Sequence, residues 1–377
     1  MTKLDPEAGT VNQPLPLPDD IAEAGFLDGA DSSMAAIQTD LAAVRKICSD
    51  SSRPVEDRLE AYEDVYESEV GDTILSRARN IEREVGLRQI YLKFEGDNPS
   101  GTQKDRIAFA QVMDALRRGF DAITVATCGN YGVALAFAAS LAGLRCIVYV
   151  PENYRTRRTG EIEGYGAEVL RVPGDYESVV EISRKRADEN DVYDANPGGA
   201  NTALQLQAYG EIAYEIYDEL RDAPAAVAVP VSNGTTLAGI HKGFVSLYRR
   251  GKTSRVPRMV AGSSFGKNPI VQAYRKKAPT CEDLRPDKIR ETEVNEPLIN
   301  WSSIDGDHAL RSIRVSSGWA SSVSDRNMRR LSRIIREQQG LSVLPAATAG
   351  LSALLDQHQS ESLLNDRYVA ILTGRRS

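Results

Sequence analysis

Ile90-Tyr91-Leu92-Lys93-Phe94-Glu95-Gly96-Asp97-Asn98-Pro99-Ser100-Gly101-Thr102-Gln103-Lys104-Asp105-Arg106 sets the register of the whole chain. Its first five residues suit a buried strand, the next nine are rich in turn formers, and Lys104 opens an amphipathic pattern that predicts a helix to Arg118. A lysine in that place lies near the positive end of the helix dipole and beside Arg106, and both disfavour its protonated form. A neutral amine is what an imine-forming lysine requires. Taken alone the motif reads better as a solvated lysine on an exposed first turn, as most lysines are.

Outward from this stretch the same alternation repeats. Strands are predicted at Ala122 to Ala126, Arg145 to Val150, Glu168 to Val172, Ala225 to Val231, Arg258 to Gly262 and Tyr368 to Leu372, short runs whose β-branched content suits burial on both faces. Helices are predicted at Tyr131 to Ala142, Tyr176 to Ala187, Ala203 to Arg221, Leu237 to Arg250, Asp325 to Gln339 and Ala346 to Gln357. Strands alternating with crossover helices define an α/β protein of mostly parallel twisted sheets flanked by helices. Residues 1 to about 30 are rich in Pro, Asp and Gly without periodicity and read as an arm. From about 33 to 66 the spacing of Met34, Ile37, Leu41, Val44 and Ile47 predicts an amphipathic helix engaged in core packing.

Three further strand ends carry residues with chemical potential. Ala126-Thr127-Cys128-Gly129-Asn130-Tyr131-Gly132 leads into a helix whose first N–H groups attract an anion such as a carboxylate, although a plain N-cap by Thr127 or Asn130 would use the same residues. Pro230-Val231-Ser232-Asn233-Gly234-Thr235-Thr236 outlines a cradle for a single phosphate, with Gly234 permitting the turn and hydroxyls and a helix start supplying donors. It lacks the Gly-Lys-Ser/Thr ending of a nucleotide loop, so ATP or GTP is not its natural ligand. Ile371-Leu372-Thr373-Gly374 ends a strand with a hydroxyl that could cap the strand or meet a ring nitrogen.

Composition bounds the rest. At 377 residues the chain exceeds one ordinary core, so two lobes with a cleft are expected. Forty-six basic against fifty-three acidic residues leave a net charge of -7, which offers no overall attraction to nucleic acid or anionic membrane. No run of roughly 20 apolar residues marks a membrane span, and the start lacks a signal-peptide core, so the cytoplasm is the expected compartment. Cys48, Cys128, Cys146 and Cys281 show no ligand or disulfide spacing, and His241, His308 and His358 stand far apart, so no metal is expected.

In chain order these segments resemble the pyridoxal-phosphate enzymes of fold type II, and most closely the threonine synthases. The resemblance runs on through Gly71-Asp72-Thr73, Lys242-Gly243-Phe244, Pro257-Arg258-Met259-Val260 and Pro345-Ala346 and covers most of residues 70 to 377. It implies that Lys104 binds pyridoxal 5'-phosphate covalently and then shuttles protons at Cα and Cβ of a small amino acid. It implies that Asn130 contacts the cofactor's 3'-hydroxyl, that Ser232, Asn233, Gly234, Thr235 and Thr236 hold its phosphate, and that Thr373 meets the pyridine nitrogen. Backbone amides of Thr127, Cys128, Gly129, Asn130 and Tyr131 would hold the substrate carboxylate. A neutral Thr373 at the ring nitrogen would favour elimination and replacement over transamination. The implied layout is an arm and helix at 1–66, a large cofactor-binding domain from 67–104 plus 201–377, and a small domain at 105–200. A homodimer is compatible with it.

Departures from the family cluster on the substrate side. Tyr193-Asp194-Ala195-Asn196-Pro197-Gly198-Gly199 carries an acid and two glycines where the family offers polar residues and an arginine for a substrate phosphate. Tyr131 replaces a small hydroxyl residue, Leu344 a glutamate, and Arg375-Arg376 a His-Gly pair. The expected reaction is therefore elimination or replacement on a small O-activated amino acid. The alternatives are β-replacement on O-phosphoserine or O-acetylserine with sulfite, sulfide or an amine, dehydratase-type β-elimination, and a non-catalytic binding protein on the same fold.

Overall fold

The structure, a computed structural model, describes residues 43–127, 129–153 and 158–376. Residues 43–49 are helical. After them come α1 (Val55–Glu69), β1 (Leu75–Arg77), α2 (Arg79–Val85), β2 (Ile90–Phe94), α3 (Lys104–Arg117), β3 (Ala122–Ala126), α4 (Asn130–Ala142) and β4 (Arg145–Pro151). The middle of the chain supplies α5 (Thr159–Gly164), β5 (Glu168–Val172), α6 (Tyr176–Asn190), β6 (Tyr193–Asp194), α7 (Thr202–Leu220), β7 (Ala226–Pro230) and α8 (Thr235–Arg249). The remainder forms β8 (Arg258–Ser264), α9 (Pro269–Lys276), α10 (Gly306–Val315), β9 (Trp319–Val323), α11 (Asp325–Gln339), α12 (Ala349–Ser360) and β10 (Tyr368–Leu372).

The strands form two sheets. Six run in the order β1-β2-β10-β7-β8-β9 and four in the order β5-β4-β3-β6. Every pair is parallel except β1 with β2. Residues that the two-sided burial of a parallel sheet demands are in place: β3, β7 and β10 are buried along their whole length. Each fully buried Val, Ile or Leu in them contributes about 1.5–3 kcal/mol. One core joins Leu92, Val260, Leu354 and Ala370 around the larger sheet, and another joins Ala126, Tyr149, Val172 and Val179 around the smaller.

The pairing decides where chemistry can gather. β10 lies between β2 and β7, with Leu372 opposite Phe94 and Tyr368 opposite Ala226. Three neighbouring parallel strands thus deliver the loops after Phe94, Leu372 and Pro230 to one edge, the carboxyl edge where open α/β sheets bind ligands.

The expected α/β architecture is present, with differences of detail that have physical reasons. β1 and β6 were not expected because three and two residues are too few for a periodicity. β9, Trp-Ala-Ser-Ser-Val, was missed because its two serines break the apolar run. Helices α2, α5, α9 and α10 are likewise additions. The single helix expected over 33 to 66 is broken. Met34, Ile37 and Leu41 lie outside the described residues, Val44 and Ile47 belong to the helical stretch 43–49, and a turn precedes α1. Asp50 accepts from the Ser52 N–H and hydroxyl at 3.0 and 2.6 Å, and Pro54 stands where the next helix begins. α1 packs as core, stacking Tyr62 and Tyr66 on Phe109 of α3 at 5.7 and 5.6 Å between ring centroids.

Among the described residues no helix is long and apolar enough to cross a membrane, and no cluster of His, Cys, Asp and Glu is arranged to hold a metal.

Candidate active site

Lys104 is the first residue of α3, reached through the buried turn Asn98 to Thr102. The turn is held by Asp105, whose Oδ2 accepts from the Ser100 N–H at 3.0 Å and hydroxyl at 2.8 Å. It is also sewn to the strand beside it. Gln103 N–H donates to Thr373 O at 3.1 Å, and Arg375 N–H donates to Gly101 O at 2.8 Å. Thr373 and Lys104, 269 positions apart in sequence numbering, therefore sit on adjoining loops.

Burial pulls the Lys104 amine down to about 8, with Asp305 acting in the opposite direction. The direction matches the sequence expectation, but the cause assigned to Arg106 does not hold. Arg106 is spent on two carboxylates of its own, forking to Glu95 at 2.6 and 2.9 Å and to Glu215 at 2.6 and 3.0 Å. Glu215 also takes Lys93 at 2.5 Å. This buried network anchors the first turn of α3.

The loop after β7 presents Ser232 and Asn233 half-buried and Gly234, Thr235 and Thr236 buried. Gly234 has φ +93, and a Cβ there would stand 2.7 Å from Ala309 Cβ, so a side chain is excluded both by backbone and by space. α8 begins at Thr235, and its first N–H groups have no partner within the helix. The Thr235 hydroxyl donates to Asp305 Oδ2 at 2.6 Å, while Asp305 Oδ1 accepts from Thr202 at 3.1 Å. With that hydroxyl proton committed, Thr235 can offer an anion its backbone N–H, one of the oriented N–H groups of α8's first turn. Asn300 Nδ2 holds Asn233 Oδ1 at 3.0 Å, and Ser303 Oγ holds Ser232 O at 3.1 Å.

From the smaller sheet comes the start of α4. Gly129, at φ +148, is its N-cap residue, so neither Thr127 nor Asn130 caps it as one sequence reading allowed. Thr127 Oγ1 instead accepts the Gly129 N–H at 3.2 Å, and the Thr127 N–H donates to Tyr149 O at 3.0 Å, which removes both amides from the set expected to meet a carboxylate. Cys128 lies outside the described residues. Tyr131 sets its ring centroid 5.7 Å from Lys104 Nζ and donates its hydroxyl to Ala195 O at 2.8 Å.

The pyridoxal-phosphate-dependent enzyme family model matches residues 66–374. The chain belongs to the pyridoxal-phosphate-dependent enzyme family. Among curated relatives, threonine synthase of Methanocaldococcus jannaschii is 32% identical over 309 residues, covering 81% of this chain and 74% of that protein. Threonine synthase of Methanosarcina acetivorans is 28% identical over 286 residues, 75% of this chain and 69% of that protein. Among solved structures, a pyridoxal 5'-phosphate-dependent aspartate racemase superposes with TM-score 0.70 at 21% identity, over 85% of this chain and 94% of that one. Maize serine racemase gives TM-score 0.68 at 17% identity, over 85% and 92%. The fold is that of fold type II, and the protein is a pyridoxal-phosphate-dependent enzyme similar to threonine synthases.

The residues present suit that cofactor. A buried amine lowered to about 8 is able to form an imine near neutral pH, and the glycine turn at a helix start offers one phosphate-sized cradle. Two contributors escaped sequence reading. Asp305 follows a long irregular segment, and Arg158, donating to Asn130 Oδ1 at 2.6 Å, lies 28 residues beyond it. An Arg-x-x-Glu pair opening a short helix was the one local sign of Arg158. Asp194, the acid in the segment that departs from the family, is engaged by Asn196 N and Nδ2 at 3.0 and 2.6 Å and by Arg184 at 3.5 Å. Leu344 packs beside Gly374, and Arg375 lays its stem over Gly101.

Proposed function

We propose that Lys104 carries pyridoxal phosphate and moves the protons in threonine synthase-like elimination and replacement on a small O-activated amino acid. The observation that carries this reading is the desolvated Lys104 amine at the edge where the loops of β2, β10 and β7 meet. The cofactor, when bound, supplies an electron sink for charge developing at the substrate Cα. Asn130, the Ser232 to Thr236 loop and Thr373 hold it at the 3'-oxygen, the phosphate and the ring nitrogen. N–H groups at the start of α4, those of Asn130 and Tyr131, bind the substrate carboxylate, the Thr127 and Gly129 amides being taken by Tyr149 O and Thr127 Oγ1. Lys104 in its neutral form takes the Cα proton and returns one after the leaving group has gone. Tyr131 covers the amine and excludes water from one side.

A second reading has a specific observation in its favour. The Tyr131 ring, fixed on Ala195, fills space near Lys104, and Gly198 and Gly199 offer no cation for a distant phosphate. Both favour β-replacement on the shorter O-phosphoserine or O-acetylserine, with sulfite, sulfide or an amine as nucleophile. The reading further takes residues 67–104 plus 201–377 as the cofactor domain and 105–200 as the small domain, in a cytoplasmic homodimer. Supporting the division, β3 to β6 are drawn from 122–194 and the larger sheet from the rest.

The test is the visible absorption of the purified protein with pyridoxal phosphate, compared with Lys104→Ala. A lysine-bound band in the wild type alone, shifted by O-phosphohomoserine, O-phosphoserine or O-acetylserine, supports the reading and names the leaving group. Release of 2-oxo acid alone with every nucleophile leaves only a dehydratase. No band in the wild type leaves a binding protein.

A further inference from the structure

Arg158 touches more of the site's parts than any one function assigned so far requires. Its Nη1 donates to Asn130 Oδ1 at 2.6 Å, and its Nη2 donates to Ser100 O at 3.1 Å. The other edge of the guanidinium lies on Glu161, with Nε at 3.2 Å and Nη2 at 2.8 Å. Glu161 is half exposed, whereas Arg158 is largely enclosed. Ser100 in turn grips Asp105, the residue after Lys104. One side chain therefore ties the start of α4, in the half built on the smaller sheet, to the turn that presents Lys104.

The chemistry of the pair fixes an orientation. A guanidinium only donates, so the Asn130 oxygen must face it and the NH2 group of the same amide must face away. We propose that Arg158 is a positioning residue that locks the rotamer and the amide sense of Asn130, so that Asn130 Nδ2 is held as a donor to the phenolic oxygen of pyridoxal phosphate on Lys104. This rests on the reading of Lys104 given above. Without the lock, rotation of the amide brings its oxygen towards an oxygen that carries negative charge, and the bond is replaced by repulsion.

The apo-protein is titrated with pyridoxal phosphate, and the visible band is then followed against pH, for the wild type, Arg158→Met, Arg158→Lys, Asn130→Ala and the double variant Arg158→Met/Asn130→Ala. Arg158→Met is expected to weaken cofactor affinity about tenfold, the loss of one hydrogen bond to a charged group. It also keeps the protonated, visible form to higher pH, because an oriented donor and a nearby cation no longer favour its deprotonation. Arg158→Lys falls between, keeping the charge without the fork. If Arg158 acts through Asn130, the double variant binds no more weakly than Asn130→Ala. Circular dichroism melts establish folding, and if Arg158→Met does not fold, Arg158→Lys set against Asn130→Ala decides. Wild-type affinity and pH midpoint in Arg158→Met, or losses that multiply in the double variant, overturn the proposal. A wild type with no lysine-bound band overturns the Lys104 reading and this proposal together, a result distinguishable because no variant then differs from it.

Discussion

Arg106 and Glu95 form a two-point fork at 2.6 and 2.9 Å in a place where both side chains are almost wholly withdrawn from solvent. The second fork to Glu215, itself held by Lys93, makes a closed set of two cations and two anions. Burial pushes Glu215 upward, yet Arg106 and Lys93 bring it down to about 2. Thr73 and Asn98 fill the remaining lone pairs of Glu95 at 2.8 and 3.1 Å. Lys104 stands two residues from Arg106, so α3 takes its bearing from this network.

Arg106→Met leaves Glu95 buried without its cation. Breaking a buried pair in this way costs about 3–5 kcal/mol. Urea unfolding should show that loss as a lowered midpoint, with cofactor binding weakened in the fraction that folds.

Gly234→Ala would place a methyl 2.7 Å from Ala309 Cβ on a backbone at φ +93. Strain of this kind costs about 1–3 kcal/mol, and it falls on the loop assigned to the cofactor phosphate. Pyridoxal phosphate affinity is expected to drop by more than tenfold, while affinity for pyridoxal, which has no phosphate, changes less. Equal losses for both ligands would show that the loop does not serve the phosphate.

The pH dependence of cofactor capture follows from Lys104. Its neutral form reacts, so with the amine at about 8 the rate of band formation should rise from pH 7 to 9 and level off above. Asp305 acts to raise that value, so Asp305→Asn should move the rise to lower pH. Stopped-flow absorbance across the range measures both midpoints, and an unmoved midpoint would remove Asp305 from the electrostatics of the site.

How much of this was legible in the chain depends on distance along it. β2, β3 and β10 have the bounds that their apolar runs predict, because a strand buried on both faces writes itself as a continuous run, and β5 also has its predicted bounds although Glu168 and Arg171 are exposed. Lys104, Asn130, Gly234 and Thr373 could be picked out because each lies in the loop after such a strand or opens the helix beyond it. Arg158 and Asp305 could not. Their importance arises from contacts with Asn130 and Thr235 across 28 and 70 positions, and nothing in the neighbouring residues encodes those. The fate of Arg106 was hidden for the same reason, since Glu215 lies 109 positions away.

The place of β10 between β2 and β7 also orders events in time. The smaller sheet draws only on residues 122–194, so it can close while the chain is still being made. The larger sheet cannot, because β2 waits for a neighbour some 280 positions later, and long-range parallel pairing is slow to form. During that interval β2 keeps an open apolar edge. Newly synthesised chains should therefore be most vulnerable to clumping just before residues 368–372 appear, a hazard that chaperones in the host cell would have to cover.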